Sequence, residues 1–190
     1  PQMLLCLHEE VAIAVAQGYA KASNRMMGAV VHSNVGLMHA TMAVFNAWCD
    51  RMPVLMLGAT GPWDAARRRP WIDWIHTVSD QGALVRPYMK WEWTLPSGVV
   101  VKEALRRAHT IMETKPAGPV YFMAQRETLT QKWASDQIRS YAAEQFSQPQ
   151  TGGADPAQIA QLADEKLKAV FNKAQVTMFE MAGLIGKHLK

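Results

Sequence analysis

Apolar residues come in short unbroken runs, with helical spacing between them. Residues 3–7 (MLLCL), 26–31 (MMGAVV), 53–59 (PVLMLGA), 82–87 (GALVRP) and 118–123 (GPVYFM) each read as a buried strand. Residues 9–23, 36–50 and 97–115 read as helices. In the first, Val11, Val15 and Tyr19 recur at helical spacing. Ser33 or Asn34 is the expected N-cap of the second, and Pro116 and Gly118 close the third. Continuous apolar strands alternating with helices predict an α/β fold: a doubly wound parallel sheet of about five strands, with helices on both faces.

This α/β domain is expected over residues 1–126. Residues 127–154 are polar and end Gly-rich, as an interdomain linker would. Asp155 then suits an N-cap and Pro156 the first helical position, so residues 155–190 read as a mainly helical tail. A parallel sheet seldom starts at residue 3 with no lead-in, so the chain is read as lacking a preceding segment.

Composition narrows the function classes. About half of the 190 residues are apolar, the net charge is +4, and the isoelectric point is about 9.2. The densest basic run is Arg67-Arg68-Arg69, with no basic stripe carrying interleaved aromatics, so nucleic acid is not the expected partner. No run approaches 18 apolar residues, so no membrane partner is expected. Cys6 and Cys49 form no CxxC and lie in apolar stretches; they read as small core hydrophobes in a reducing, cytoplasmic compartment. HExxH, paired CxxC, GxSxG, P-loop and GxGxxG motifs are all absent, so no metal ligands are assigned. GATGP (58–62) is a weak anion-nest candidate.

In open α/β sheets ligands sit outside the C-terminal strand ends. The first strand end delivers His8, Glu9 and Glu10, and the second His32, Ser33 and Asn34. Glu9 has an ordinary reading, an acid in a first helical turn, favourable to the macrodipole by about 0.3–1 kcal/mol. His32 likewise reads as a turn histidine bonded to backbone. His39, His76 and His109 have no partner pattern and read as structural or exposed.

HEEVAIAVAQGYAKAS (8–23), VVHSNVGLMHATMAVFNAWCDRMPVLMLGATG (30–61), RPYMKWEW (86–93) and KPAGPVYFM (115–123) together resemble thiamine-diphosphate-dependent enzymes. The likeness is to benzoylformate decarboxylase and acetolactate-synthase-like members, over their pyrimidine-binding domain. It implies that Glu9 bonds N1′ of the aminopyrimidine and favours the imino tautomer that deprotonates the thiazolium. It implies that His32, in a His-Ser turn, relays protons on the substrate side, and that Ser33, Asn34 and Gly36 help bind the cofactor. It implies a 2-oxoacid substrate and lyase or transferase chemistry, as a decarboxylase or carboligase.

In that family Mg²⁺ and the diphosphate are held by a separate domain through a GDG…N motif, which this sequence lacks. A diphosphate-binding domain on another subunit, in a homo-oligomer, is therefore implied, and this chain alone is expected to be inactive. The tail from Asp155 resembles the start of the family's central domain. Met38, Met42, Phe45 and Trp48 exceed what one buried helix face needs and are the candidate subunit contact. Trp71 and Trp74 belong either to a large acyl pocket or to the core. The competing readings are a non-catalytic truncated relic or interaction module of the same fold, and an unrelated α/β small-ligand binder.

Overall fold

The computed structural model describes residues 2–138, 140 and 142–147. Four strands form one sheet: β1 (Met27–Val31), β2 (Val54–Thr60), β3 (Trp91–Leu95) and β4 (Val120–Gln125). Their order is β1-β2-β4-β3 and every pairing is parallel. Helices α1 (Glu9–Ser23) and α2 (Ser33–Cys49) cover one face, and α3 (Val101–Glu113) covers the other. This is the expected α/β architecture, with helices on both faces of the sheet. No helix among the described residues is long and apolar enough to cross a membrane.

Alternation along the strands builds two cores. Val54 and Met56 of β2 and Tyr121 and Met123 of β4 face α1 and α2, where Ile13, Ala16, Leu37 and Ala40 meet them. Leu55, Leu57, Phe122 and Ala124 face α3. Small residues at the contacts (Ala16, Ala20, Ala40, Ala43, Ala47) let helices approach closely.

The strand set differs from expectation in three places. Residues 3–7 are extended but pair with no strand among the described residues, and Leu5 and Leu7 are fully exposed. A strand needs a ladder partner, and apolarity alone supplies none. Residues 82–87 fold into two 3-10 turns rather than a strand. Pro87 has no amide to donate, and Gln81 turns inward to donate from Nε2 to the Tyr121 hydroxyl (2.7 Å) and the Ala59 carbonyl (3.2 Å). The edge strand β3 takes that place, with Trp91, Trp93 and Leu95 toward α3 and Glu92 toward Arg86.

Helix boundaries follow their caps. His8 Nδ1 accepts the Glu10 amide (3.2 Å), and Asn24 closes α1 in the left-handed region at φ 55°. α2 begins at Ser33, three residues earlier than its pattern suggested, with His32 as N-cap; neither Ser33 nor Asn34 is the cap. The stripe Val11, Val15, Tyr19 is exposed, and Ile13, Ala16 and Ala20 are the buried face of α1. Cys49 is exposed and Cys6 half-buried, so neither is a core residue; both are free thiols.

The segment expected to be a linker starts with a short helix, α4 (Arg126–Thr130). It packs on the domain: the buried Thr128 hydroxyl donates to the Leu95 carbonyl, and Thr110 donates to the Phe146 carbonyl (2.6 Å). Residues 155–190, expected to be a helical tail, lie outside the described residues.

Candidate functional site

Glu9 and His32 sit at the C-terminal side of the sheet and line one cavity of about 640 Å³. The cavity runs between residues 2–9 and the strand β1. Its remaining walls are mostly apolar, with Met3, Leu5, Leu7, Val15 and Val30 among them. Glu9 is the first residue of α1, and His32 follows the last residue of β1. His32 lies where a strand end feeds directly into a helix, whereas Glu9 opens a helix that follows an extended, unpaired segment.

Gly36 fixes where the Glu9 side chain lies. It occupies the first turn of α2, where its amide donates to the His32 carbonyl (2.7 Å). A Cβ at Gly36 would stand 2.9 Å from Glu9 Oε1 and 3.0 Å from its Cγ. The bare backbone there is a cradle for the carboxylate, which keeps 29% of its side-chain surface exposed. On its other side His39 Nδ1 lies 3.6 Å from Glu9 Oε2. The His8 and His39 rings stack in parallel, 5.0 Å apart.

His32 stands at a strained turn. Ser33, immediately after it, is non-glycine yet has φ 46°, and such left-handed residues concentrate at functional sites. Ser33 and Asn34 are both buried. The Ser33 hydroxyl lies 3.5 Å from His32 Nδ1 and donates to Asn34 Oδ1 (3.3 Å), and Asn34 Nδ2 donates to the Ile75 carbonyl (3.5 Å). That last bond ties α2 to the segment 62–80. The His32 ring meets the His76 ring edge-on at 5.1 Å.

His32 also lines a second cavity of about 830 Å³, walled by Leu57, Leu95, Leu105 and Phe122 and rimmed by Arg69, His76 and Arg126. Asp73 anchors the rim. Arg69 bonds both its carboxylate oxygens (2.9 and 3.2 Å), the Arg69 amide donates to it (2.8 Å), and Arg126 approaches to 3.7 Å. These bonds hold the Asp73 carboxyl down at about 2. Trp71 and Trp74 are not core residues; both are exposed on turns, with the Arg69 guanidinium 5.5 Å from the Trp71 ring centre.

His39 and His76 are the residues that sequence spacing left unassigned. His39 follows Gly36 by three positions and so shares its helix face. That placed it near Glu9 only once the crossing of α1 over α2 was known. His76 is brought to His32 by the segment 62–80, which carries no periodic signal. Among the described residues, His8, Glu9 and His39 form a cluster whose ligand atoms lie within 4.8 Å of one another.

Residues 1–84 match the thiamine pyrophosphate enzyme family, N-terminal TPP binding domain. The chain is 27% identical over 118 residues to benzoylformate decarboxylase of Pseudomonas aeruginosa, covering 62% of this chain and 22% of that protein. It is 26% identical over 120 residues to the acetolactate synthase large subunit of Lactococcus lactis, covering 63% and 20%. Its fold is similar to a thiamine diphosphate-dependent 4-hydroxybenzoylformate decarboxylase of Rhodococcus jostii RHA1, with TM-score 0.65 and 18% identity over 82% of this chain and 28% of that one. It is also similar to benzoylformate decarboxylase of Polynucleobacter necessarius, with TM-score 0.63 and 19% identity over 84% and 28%. The chain spans about a fifth of the length of the curated relatives it matches.

Proposed function

From the premise that this chain contains the N-terminal, pyrimidine-binding domain of a thiamine-diphosphate-dependent enzyme, we propose that it supplies the aminopyrimidine side of the cofactor site in a 2-oxoacid decarboxylase or carboligase. The observation that carries the reading is the single cavity lined by both Glu9 and His32. When bound, thiamine diphosphate supplies a nucleophilic carbon that adds to a 2-oxoacid carbonyl.

The residues present fit the pyrimidine end of that group. Glu9 offers a carboxyl in a largely apolar cavity, where it can meet a ring nitrogen placed there. Its side chain lies against the bare backbone of Gly36 in α2, where a Cβ would crowd Oε1. In this reading the carboxyl holds a proton against the ring nitrogen N1′ of the pyrimidine. Ser33 and Asn34 hold the turn that presents His32. With Nδ1 beside the Ser33 hydroxyl, the His32 ring has Nε2 left to face substrate and move protons, a task suited to imidazole near neutral pH. The larger apolar cavity beyond His32 would take the acyl group.

Among the described residues the diphosphate end finds no counterpart. Mg²⁺ seeks a set of hard oxygens, whereas the three-donor cluster among the described residues contains two imidazoles. We therefore assign Mg²⁺ and the diphosphate to a further domain on another subunit of a homo-oligomer. The stripe Met38, Met42, Phe45 and Trp48 is exposed along α2 and is the face assigned to that contact. Two free thiols suit a reducing, cytoplasmic setting.

The test is exchange of the thiazolium C2 hydrogen into deuterium oxide, with this chain assembled with a diphosphate-binding domain. Glu9→Gln keeps the shape and cannot share the proton, so exchange should slow by about 10²–10⁴. Exchange at the wild-type rate overturns the role given to Glu9.

A further inference from the structure

The geometry points to a transition-metal site at His8, Glu9 and His39, separate from the Mg²⁺ chemistry of the cofactor. Two imidazoles and one carboxylate form a mixed nitrogen and oxygen donor set that suits Zn²⁺, Co²⁺, Ni²⁺ or Cu²⁺ and disfavours Mg²⁺ and Ca²⁺. The donors come from two elements packed together. His8 and Glu9 open α1, and His39 lies in α2. One ligand atom from each falls within 4.8 Å of the other two. Donors sharing one tetrahedral ion at about 2.1 Å stand about 3.4 Å apart, and Glu9 Oε2 and His39 Nδ1 are already at 3.6 Å.

Closing the site asks little of the fold. The His8 and His39 rings stack in parallel, and both are exposed enough to turn about their side-chain bonds. Glu9 is less free, because Gly36 sets its position. Coordination through His8 Nε2 leaves its bond from the Glu10 amide (3.2 Å) intact, and coordination through Nδ1 exposes that amide to water at an exposed helix start. Three protein ligands leave coordination positions for water. The site stands independently of the cofactor reading. The link between the two is that Glu9 cannot serve a metal and an aminopyrimidine at once.

The experiment is calorimetric titration of the chain with zinc chloride at neutral pH in a non-chelating buffer, with magnesium chloride as the comparison. One zinc site of micromolar affinity is expected, with no magnesium heat at the same concentrations. His39→Ala and His8→Ala should each weaken zinc by about tenfold or more, while Cys6→Ser should leave it unchanged. Circular dichroism on each variant checks that it is folded; substitutions at these exposed positions should leave it so. The absence of zinc binding, an affinity unchanged in both histidine variants, or a loss that follows Cys6 instead would overturn the assignment. Loss of zinc in Glu9→Gln with retained affinity in the histidine variants would do the same.

Discussion

Gly36 and Glu9 touch across the crossing of α1 and α2: a methyl group on Gly36 would lie 2.9 Å from Oε1 and 3.0 Å from Cγ of Glu9. The carboxylate is placed by the absence of a side chain. Gly36→Ala therefore separates stability from function. Alanine gains up to about 1 kcal/mol of helix propensity over glycine, and the Glu9 side chain yields by rotating away. Net stability should change by less than about 1 kcal/mol in urea denaturation. Thiazolium C2 exchange in the assembled enzyme should fall nearly as far as in Glu9→Gln. A variant with unchanged exchange would show that the cradle does not orient Glu9.

His32→Ala should act at a different step from Glu9→Gln. With the carboxyl intact, C2 exchange should stay close to wild type. Turnover of a 2-oxoacid should drop by about 10²–10⁴ for loss of a positioned acid–base group. Measuring exchange and turnover on the same preparations separates the two residues. Normal turnover would leave His32 as a turn residue and nothing more.

The centre of the sheet is tightest between Gly58 and Tyr121. A Cβ on Gly58 of β2 would run into the Tyr121 hydroxyl and stand 2.7 Å from two of its ring carbons. Tyr121 is fully buried and its hydroxyl accepts from Gln81, so the ring has nowhere to go. Gly58→Ala should cost about 1–3 kcal/mol through overpacking. Tyr121→Phe leaves the buried Gln81 amide with the Ala59 carbonyl alone and should cost about 1 kcal/mol. Burial holds the Tyr121 hydroxyl neutral, pushing it up to about 12. The unfolded chain ionises at its ordinary value near 10. This residue's contribution is therefore present below that pH and is lost as pH rises from about 10 towards 12. Denaturation midpoints across alkaline pH, compared with Tyr121→Phe, isolate it.

Asp73 carries the opposite sign. Its carboxyl is held at about 2 by Arg69 bonds and the charge of Arg126, well under the ordinary carboxylate value. The stabilisation is present above that ordinary value near pH 4 and is lost as pH falls towards 2. The segment 62–80 should loosen first, because Asp73 ties Arg69 and Arg126 across it. Trp71 and Trp74 sit on the same segment, so tryptophan fluorescence should change over that acid window in the wild type. In Asp73→Asn the change should already be present near neutral pH.

The exposed stripe on α2 makes a prediction about association. Met38, Met42, Phe45 and Trp48 lie on one helix face and leave a continuous apolar surface. The chain should self-associate with rising concentration in light scattering. Met42→Glu together with Trp48→Glu should shift it towards monomer without unfolding it, since both side chains are partly in solvent. A wild type that stays monomeric at high concentration argues against this face as a contact.

The sequence by itself determined the fold class and singled out two residues that share one cavity, Glu9 and His32. Unbroken apolar runs at β2 and β4 are largely buried on both faces, which is what a parallel sheet under helices provides, while the edge strand β1 is buried on one face only. The end of β1 running into α2 places His32, and the start of α1 places Glu9, at one side of that sheet. Local pattern could not say which apolar run would find a partner. Residues 3–7 are as apolar as β1 yet pair with nothing among the described residues, because pairing is a property of two segments. Residues 82–87 lost the edge position to residues 91–95 once Gln81 was drawn inward to Tyr121, a contact 40 residues long. The same holds for the site. Val11, Val15 and Tyr19 look like core by spacing, and only the packing of α1 on α2 decides which face is buried. His39 reaches Glu9, and His76 reaches His32, through tertiary contacts between elements whose spacing in the chain carries no trace of them.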